Sequence, residues 1–501
     1  MRAVRPCLAL ALIASVLIAA CGGDSAAESS TPTIATNAIP TASQASNSRL
    51  LDWPEFGLDP QRSNVSEDTT GISVAQLPHL RRRSISLPGT VDSSPIYLHG
   101  VQAAGRSRNV AVVTTTYGKT IALDADSEQT LWTFTPPGYG GWAGSAQITN
   151  SSPLADPGRQ YIYAASPNGL IHKLSLADGS ESREGAWPVS VTRDATHEKL
   201  GAAINIAGPD ILVATSGYIG DAPPYQGHVV LIDHASGRIR SVFNTLCADR
   251  HSLIVPNTCA ASDSAILSRG GAVVEPSGTR VLIDTGNAPW NGSTNFGDSV
   301  LELTLPSLAL RQAFTPTDQA QLNDTDTDLG SSAPALLGHG RVLVAGKDGS
   351  MRVLRLSRLN GRKRSSTTLL GGEAQRLPLP GGGELFTAPA VWRHGGRTTV
   401  FVAGEHATAA YVLRRGKLLR AWIANTPGTS PVMAGGLLYV YEPDGGGIVV
   451  YRPNSPHPIA KLPGSPGHWN SPIVVDGHIV EPEGDANDHE QTGSLEIFSA
   501  G

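Results

Sequence analysis

Val110-Ala111-Val112-Val113-Thr114-Thr115, followed by Tyr117-Gly118-Lys119, Ile121-Ala122-Leu123-Asp124-Ala125 and Leu131-Trp132-Thr133-Phe134, is the stretch on which the fold turns. Three short runs of β-branched and aliphatic residues, separated by turns, read as consecutive antiparallel strands. A helix would need apolar residues three and four apart over ten or more positions, and these runs are too short for that.

The same order of elements returns along the chain. A Ser/Ala-Pro dipeptide opens a strand at Ser94-Pro95, Ser152-Pro153, Ala333-Pro334, Ala388-Pro389, Ser430-Pro431 and Ser471-Pro472. By subtraction, Pro389 to Pro431 is 42 residues and Pro431 to Pro472 is 41, the period of a propeller blade. Later copies carry Tyr161-Ile162-Tyr163-Ala164, Val342-Leu343-Val344-Ala345 and Leu438-Tyr439-Val440-Tyr441. Two units without the proline, from Ala202 to Val242 and from Gly270 to Phe314, bring the count to eight. The last unit ends at Leu495-Glu496-Ile497-Phe498 and lacks an outer strand, which Leu80 to Leu87 would supply. The expected fold is therefore all-β: an eight-bladed β-propeller closed by pairing of its N- and C-terminal strands, which removes exposed edges.

Composition agrees. With 55 Gly, 36 Pro and only 16% charged residues in 501, the chain is turn-rich. A net charge of −5 and the lack of a basic stripe beyond Arg81-Arg82-Arg83 and Arg362-Lys363-Arg364 argue against a nucleic-acid partner.

At the start, Arg2 and Arg5 precede an apolar run from Leu8 to Ala20, too short to span a bilayer. Ile18-Ala19-Ala20-Cys21 resembles the bacterial lipobox, which implies lipidation of Cys21. Residues 1–20 read as a lipoprotein signal peptide, 21–50 as a flexible linker of small and polar residues, and 51–501 as a single propeller domain. The expected location is the extracytoplasmic face of a bacterial membrane, where the chain would be held by its lipid anchor. Cys7 falls in the signal, so Cys247 and Cys259 remain, and in an oxidising compartment a disulfide is the simplest reading. It would constrain the unfolded chain by roughly 3 kcal/mol. No exported cysteine-enzyme motif surrounds either residue.

With the repeat in place, the sequence resembles the pyrroloquinoline-quinone (PQQ)-type propellers, which hold quinoprotein alcohol dehydrogenases and cofactor-free relatives such as the assembly factor BamB. Asp52-Trp53-Pro54-Glu55-Phe56-Gly57 resembles the dehydrogenase opening, and Ala122-Leu123-Asp124-Ala125 through Trp132 resembles their tryptophan-docking repeat. In that repeat Glu128 stands where the family has Gly, and in the third unit Ser241 stands at the Trp position. Asn295-Phe296-Gly297-Asp298-Ser299-Val300 with Asp328-Leu329-Gly330-Ser331-Ser332 resembles an exported lipoprotein subgroup of PQQ-like propellers of unassigned function.

For chemistry, Asp284-Thr285-Gly286-Asn287-Ala288-Pro289-Trp290-Asn291 resembles the dehydrogenase segment whose asparagine helps bind calcium beneath the quinone, which implies Asn287. The glutamate ligand would fall at Ala222, with Asp221 beside it, and the catalytic aspartate within Asn323 to Asp328, with Asp326 and Asp328 as candidates. A dehydrogenase needs the cation to polarise the quinone and a carboxylate to take the alcohol proton. Beside this stands a plainer reading, in which Gly286-Asn287 is a turn and Asp326 and Asp328 are exposed acids capping Leu329 to Ser332. Asp485-Ala486-Asn487-Asp488-His489-Glu490 lacks the spacing of a calcium loop and reads as a surface turn. The incomplete ligand set favours a non-catalytic binding or scaffold protein with cell-envelope partners. The alternatives are a PQQ- and calcium-dependent alcohol or sugar dehydrogenase, or a sensor with a small molecule in the central funnel.

Cys21→Ser leaves the apolar run intact and removes the acylation site. The variant is expected in the soluble extracytoplasmic fraction while the unaltered chain sediments with membranes; co-sedimentation of both would contradict the anchor.

Overall fold

The computed structural model describes residues 51–220, 222–361 and 369–500, so Cys21, Asp221 and Arg362-Lys363-Arg364 lie outside the described residues. Ile96–Ala103, Arg106–Thr114, Thr120–Asp124 and Thr130–Phe134 form the first four-stranded antiparallel sheet, and the quoted stretch supplies its last three strands. Among the described residues, seven further sheets of this kind follow, opened by Leu154–Ala155, Asn205–Ala207, Val273–Val274, Ser332–Gly338, Ala390–His394, Val432–Ala434 and Ile473–Val475. From Asn205–Ala207 through Ile473–Val475 each opening strand contacts that of the next sheet, which makes the opening strands the innermost ones of eight blades around one axis.

The eighth blade is completed by Arg81–Leu87, which pairs antiparallel with Gly493–Ser499 in the register Arg81 to Ser499 through Leu87 to Gly493. The closure expected from sequence therefore holds. The first and last blades share one apolar cluster in which Val113 and Ile121 meet Ile479, Val480 and Ile497. The middle strands, such as Thr120–Asp124 and Leu437–Tyr441, bury both faces between neighbouring blades, which explains why those runs read as continuously apolar rather than alternating, whereas outer strands such as Thr130–Phe134 are partly exposed.

Blades are also tied at their outer edges. Trp132 Nε1 donates to the Leu176 carbonyl of blade 2 at 2.9 Å, and Trp422 Nε1 to the Pro453 carbonyl of blade 7 at 2.9 Å. Where the indole is missing the tie survives in smaller form: Ser241 Oγ donates to Pro306 O at 2.8 Å and Gln312 Nε2 to Leu356 O at 2.8 Å. Glu128, at the family's glycine position, adopts a left-handed φ of 65° and is held by Arg81 at 2.5 Å. Its ion pair offsets part of the backbone strain that glycine would avoid.

Eight blades leave an axial hole, and residues 53–70 cross it. Trp53 exchanges two 2.8 Å backbone hydrogen bonds with Tyr97 of blade 1, and Pro54 O accepts from Ala155 N of blade 2. Pro60 O accepts from Asn205 of blade 3 and from Val274 N of blade 4. Phe56 packs with Ala333 of blade 5, and Ser63, Asn64 and Thr70 carbonyls accept from Val391, Met433 and Gly477 of blades 6, 7 and 8. Val65–Ser66 adds a parallel fifth strand to blade 7. At the centre, buried Arg62 pairs with Glu55 at 2.8 Å and donates to the carbonyls of Phe56, Gly270 and Ile204 at 2.7, 3.1 and 2.9 Å. Gly57 turns the chain at a φ of 72°, where a Cβ would lie 2.9 Å from Arg62 Cα.

The expected Cys247–Cys259 disulfide is formed, in the connection between blades 3 and 4. Glu198–Lys199, in the connection before blade 3, pairs with Ser216–Gly217, which lies between the second and third strands of that blade, as a small two-stranded sheet. No helix among the described residues is long and apolar enough to cross a membrane.

Removing one partner of a buried, hydrogen-bonded ion pair leaves an uncompensated charge. Arg62→Ala is expected to destabilise the propeller by roughly 3–5 kcal/mol, read as a lower denaturant midpoint; an unchanged midpoint would contradict the central role of the axial segment.

Candidate functional site

The N-terminal segment is bound by the second residues of innermost strands, Tyr97, Ala155, Val274, Val391 and Met433, and residues that precede those strands line the axis beside it. Asn150, Arg269, Asp328, Phe386 and Trp469 each stand four positions before the first residue of an innermost strand, while Asn287 and Lys347 follow the second strands Arg280–Asp284 and Arg341–Ala345. Together with Lys199 they line a cavity of about 340 Å³, a size that suits a small ligand.

Of the sequence candidates, Asn287, Asp326 and Asp328 converge here. Asn287 N donates to Asp328 Oδ1 at 2.7 Å. Gly286 makes that approach possible, since a Cβ on it would overlap the Asp328 carboxylate. Two expectations need correction. Asp328 is not an exposed loop acid but 4% exposed, and it does not cap the turn Leu329–Ser331; Leu329 N is bound instead by Asp298 Oδ1 at 3.2 Å. Asp326 is exposed, at a left-handed φ of 49°.

Lys347 Nζ lies 2.5 Å from Asp328 Oδ2 and 3.3 Å from Asp326. Burial raises the Asp328 carboxyl while Lys347 opposes the rise, and the same pair holds Lys347 above its ordinary value against its own burial. Asp298, below them, is pushed up to about 8 by burial.

Across the funnel, Asp92 forms a hub. Its carboxylate pairs with Arg269 at 3.1 Å and His468 Nδ1 at 2.8 Å, and accepts from Asn150 Nδ2 at 3.1 Å and Ala486 N at 3.3 Å. Burial alone would raise this carboxyl, but Arg269 and His468 hold it down at about 2. Asp485 comes within 3.4 Å of His468, so the late acidic cluster is part surface turn and part funnel rim. Asp92, His468 and Asp485 could together reach one cation. The Arg269 guanidinium on the Asp92 carboxylate makes the arrangement an ion-pair hub instead.

Trp469 stands at the centre of the funnel wall. Phe386 stacks on it at 4.4 Å between centroids, His468 at 3.9 Å, and the Arg269 guanidinium lies 4.8 Å over its ring. Lys199 is different from its neighbours: partly buried, and with no hydrogen bond or ion pair to its ammonium among the described residues. Burial, with Arg269 nearby, lowers its pKa to about 7.

A quinone on calcium needs oxygen ligands free to take the cation and an aromatic face free to carry the ring. The described residues do not fit. The oxygen of Asp328 turned from Asn287 is taken by an ammonium, Ala222 stands at the glutamate position, and the Trp469 ring is covered by Phe386, His468 and Arg269.

Sequence reasoning missed Lys199, Arg269, Trp469 and the Asp92 hub. Each stands alone in its own segment, and the one available signal was position, since most of these residues immediately precede the innermost strands. A second arrangement escaped notice too: Ser166 Oγ lies 2.7 Å from His172 Nε2, and His172 Nδ1 lies 2.5 Å from Glu181. This is the constellation of an acyl-transfer triad, but Ser166 and His172 are fully buried between strands of blade 2, where they tie Tyr161–Ser166 to Leu170–Ser175.

The family model described as "Outer membrane protein assembly factor BamB" matches residues 315–455, which span blades 5 and 6 and part of blade 7. No curated protein matches the sequence. Among solved structures, the quinohemoprotein alcohol dehydrogenase of Comamonas testosteroni is 13% identical with a TM-score of 0.66, over 90% of this chain and 80% of that one. The quinohemoprotein alcohol dehydrogenase ADHIIG of Pseudomonas putida HK5 is 13% identical with a TM-score of 0.67, over 90% and 80%. A europium-containing methanol dehydrogenase is 15% identical with a TM-score of 0.63, over 89% and 98%. The chain thus has the eight-bladed PQQ-like propeller fold, a fold shared by quinoprotein dehydrogenases.

Proposed function

We propose that this chain is a non-catalytic binding protein, anchored through Cys21 to the extracytoplasmic face of a bacterial membrane, whose funnel receives a small anionic ligand. Lys199 carries the reading. Arg269 answers Asp92 and Lys347 answers Asp328 and Asp326, whereas Lys199 faces the same cavity with no ion pair among the described residues. A cation held partly out of water without a partner is costly, and a ligand carboxylate or phosphate would relieve that cost. The plugged axis makes the funnel a blind pocket rather than a pore, which suits retention of a ligand. Envelope partners would then meet the rim of the same pocket.

The convergence of Asn287 with Asp328 is what favours the second reading, a PQQ- and calcium-dependent alcohol or sugar dehydrogenase, as the three similar structures are named dehydrogenases. Against it stand the Lys347 ammonium on Asp328 and the covered Trp469 ring.

The binding reading has a pH signature. Lys199 gains its proton as pH falls through about 7, so affinity for an anion should rise in the same direction. Calorimetric titration with N-acetyl-trialanine, a probe with one carboxylate and no amine, is expected to show affinity about tenfold higher at pH 5.5 than at pH 8.5, a difference of about 1.4 kcal/mol. Lys199→Met should flatten that dependence. Absence of binding across the whole range would refute the reading.

A further inference from the structure

The funnel has a second lobe. A cavity of about 330 Å³ abuts the first and shares Phe386, His468 and Trp469 with it, so the stacked aromatic residues form a divide between two chambers. The chambers differ in charge. The first holds Lys199, Arg269 and Lys347 together with Asp326 and Asp328, which Lys347 answers, whereas the second is walled by Glu384, Glu405 and Asp444, with His406 and no Lys or Arg among its lining residues. Glu405 accepts from Glu384 N at 2.9 Å, and burial together with Glu405 raises the Glu384 carboxyl above its ordinary value. His406 Nε2 stands 4.0 Å from Glu405 at the exposed rim, and Lys347 in the neighbouring chamber offsets part of the rise at Glu384; among the described residues no Lys or Arg forms an ion pair with Glu384, Glu405 or Asp444.

A residue lining each chamber also carries a buried polar atom without a partner among the described residues. In the acidic lobe it is Thr429 Oγ1, on a residue 1% exposed; in the basic lobe it is Asn150 Oδ1, on a residue 4% exposed whose Nδ2 is committed to Asp92. The Arg269 Nε–H in the basic lobe is unpartnered as well. Buried polar groups are normally satisfied, and those left open at a cavity wall point to what would enter it. Here a free hydroxyl can donate to a carbonyl, a free amide oxygen can accept from an N–H, and Lys199 and Arg269 offer donors to a carboxylate.

We propose that the two lobes form one bipolar cleft for a short zwitterionic peptide, its carboxylate in the Lys199–Arg269 chamber and its ammonium among Glu384, Glu405 and Asp444. An α-amino acid carries its two charges on one carbon and cannot put them on opposite sides of an aromatic pair. A peptide separates them by several bonds and supplies the N–H and C=O groups that Asn150 and Thr429 lack. This assignment rests on the anion-binding reading of the basic lobe and adds a second requirement, a free amine.

Calorimetry on the full chain with trialanine, N-acetyl-trialanine and trialaninamide separates the two claims. Trialanine is expected to bind at least tenfold more tightly than either blocked form. Glu384→Gln combined with Glu405→Gln should abolish the preference for the free amine and leave the preference for the free carboxylate, and Lys199→Met should do the reverse. If N-acetyl-trialanine binds as tightly as trialanine, the bipolar cleft is wrong and the anion site stands. If neither carboxylate probe binds at any pH between 5.5 and 8.5, both fall.

Discussion

The axial hole of an eight-membered ring is the constraint that everything else here answers, and Arg62 is the group that closes it. Side chains on innermost strands can fill the centre of a small barrel but not that of a ring this wide. The N-terminal segment fills it instead, accepting hydrogen bonds from blades on every side and placing one guanidinium at the middle with Glu55 and four carbonyls around it. A buried arginine needs that many acceptors, because unpaired it would cost several kcal/mol. Once one end is sealed, the other end becomes a blind funnel. Residues that come just before the innermost strands then face each other across it, however far apart they lie in sequence.

This geometry explains what could be read from the chain beforehand. Blades are local: Val110 to Phe134 is contiguous, its hydrogen bonds join neighbours in sequence, and a period of about forty residues repeats the pattern. Closure was legible because the last unit ran short by one strand and Arg81–Leu87 was spare. The docking ties were legible only where Trp remained; Ser241 and Gln312 make the same hydrogen bond to the next blade without any motif to announce it.

The funnel is the opposite case. Asp92, Asn150, Lys199, Arg269 and Trp469 come from five separate connections, and none has a neighbour in sequence that marks it. Asn287 and Asp328 were visible through resemblance, but their electrostatic state was not. Whether Asp328 was exposed or buried depended on Gly286 leaving room for its carboxylate, and whether it was free depended on Lys347 arriving from the following blade. Local sequence does not report such approaches, which arise from how blades are staggered around the axis.

The shared fold leaves chemistry open, since sites are grafted onto propellers freely. What distinguishes this funnel is that cations of the protein itself stand where a divalent metal would have to work: Lys347 on Asp328, Arg269 on Asp92. Equilibrium dialysis with labelled calcium in the presence of pyrroloquinoline quinone tests that claim directly. The account predicts no stoichiometric calcium and no retained quinone absorbance. One equivalent of calcium held together with the quinone chromophore would contradict it and return the funnel to dehydrogenase chemistry.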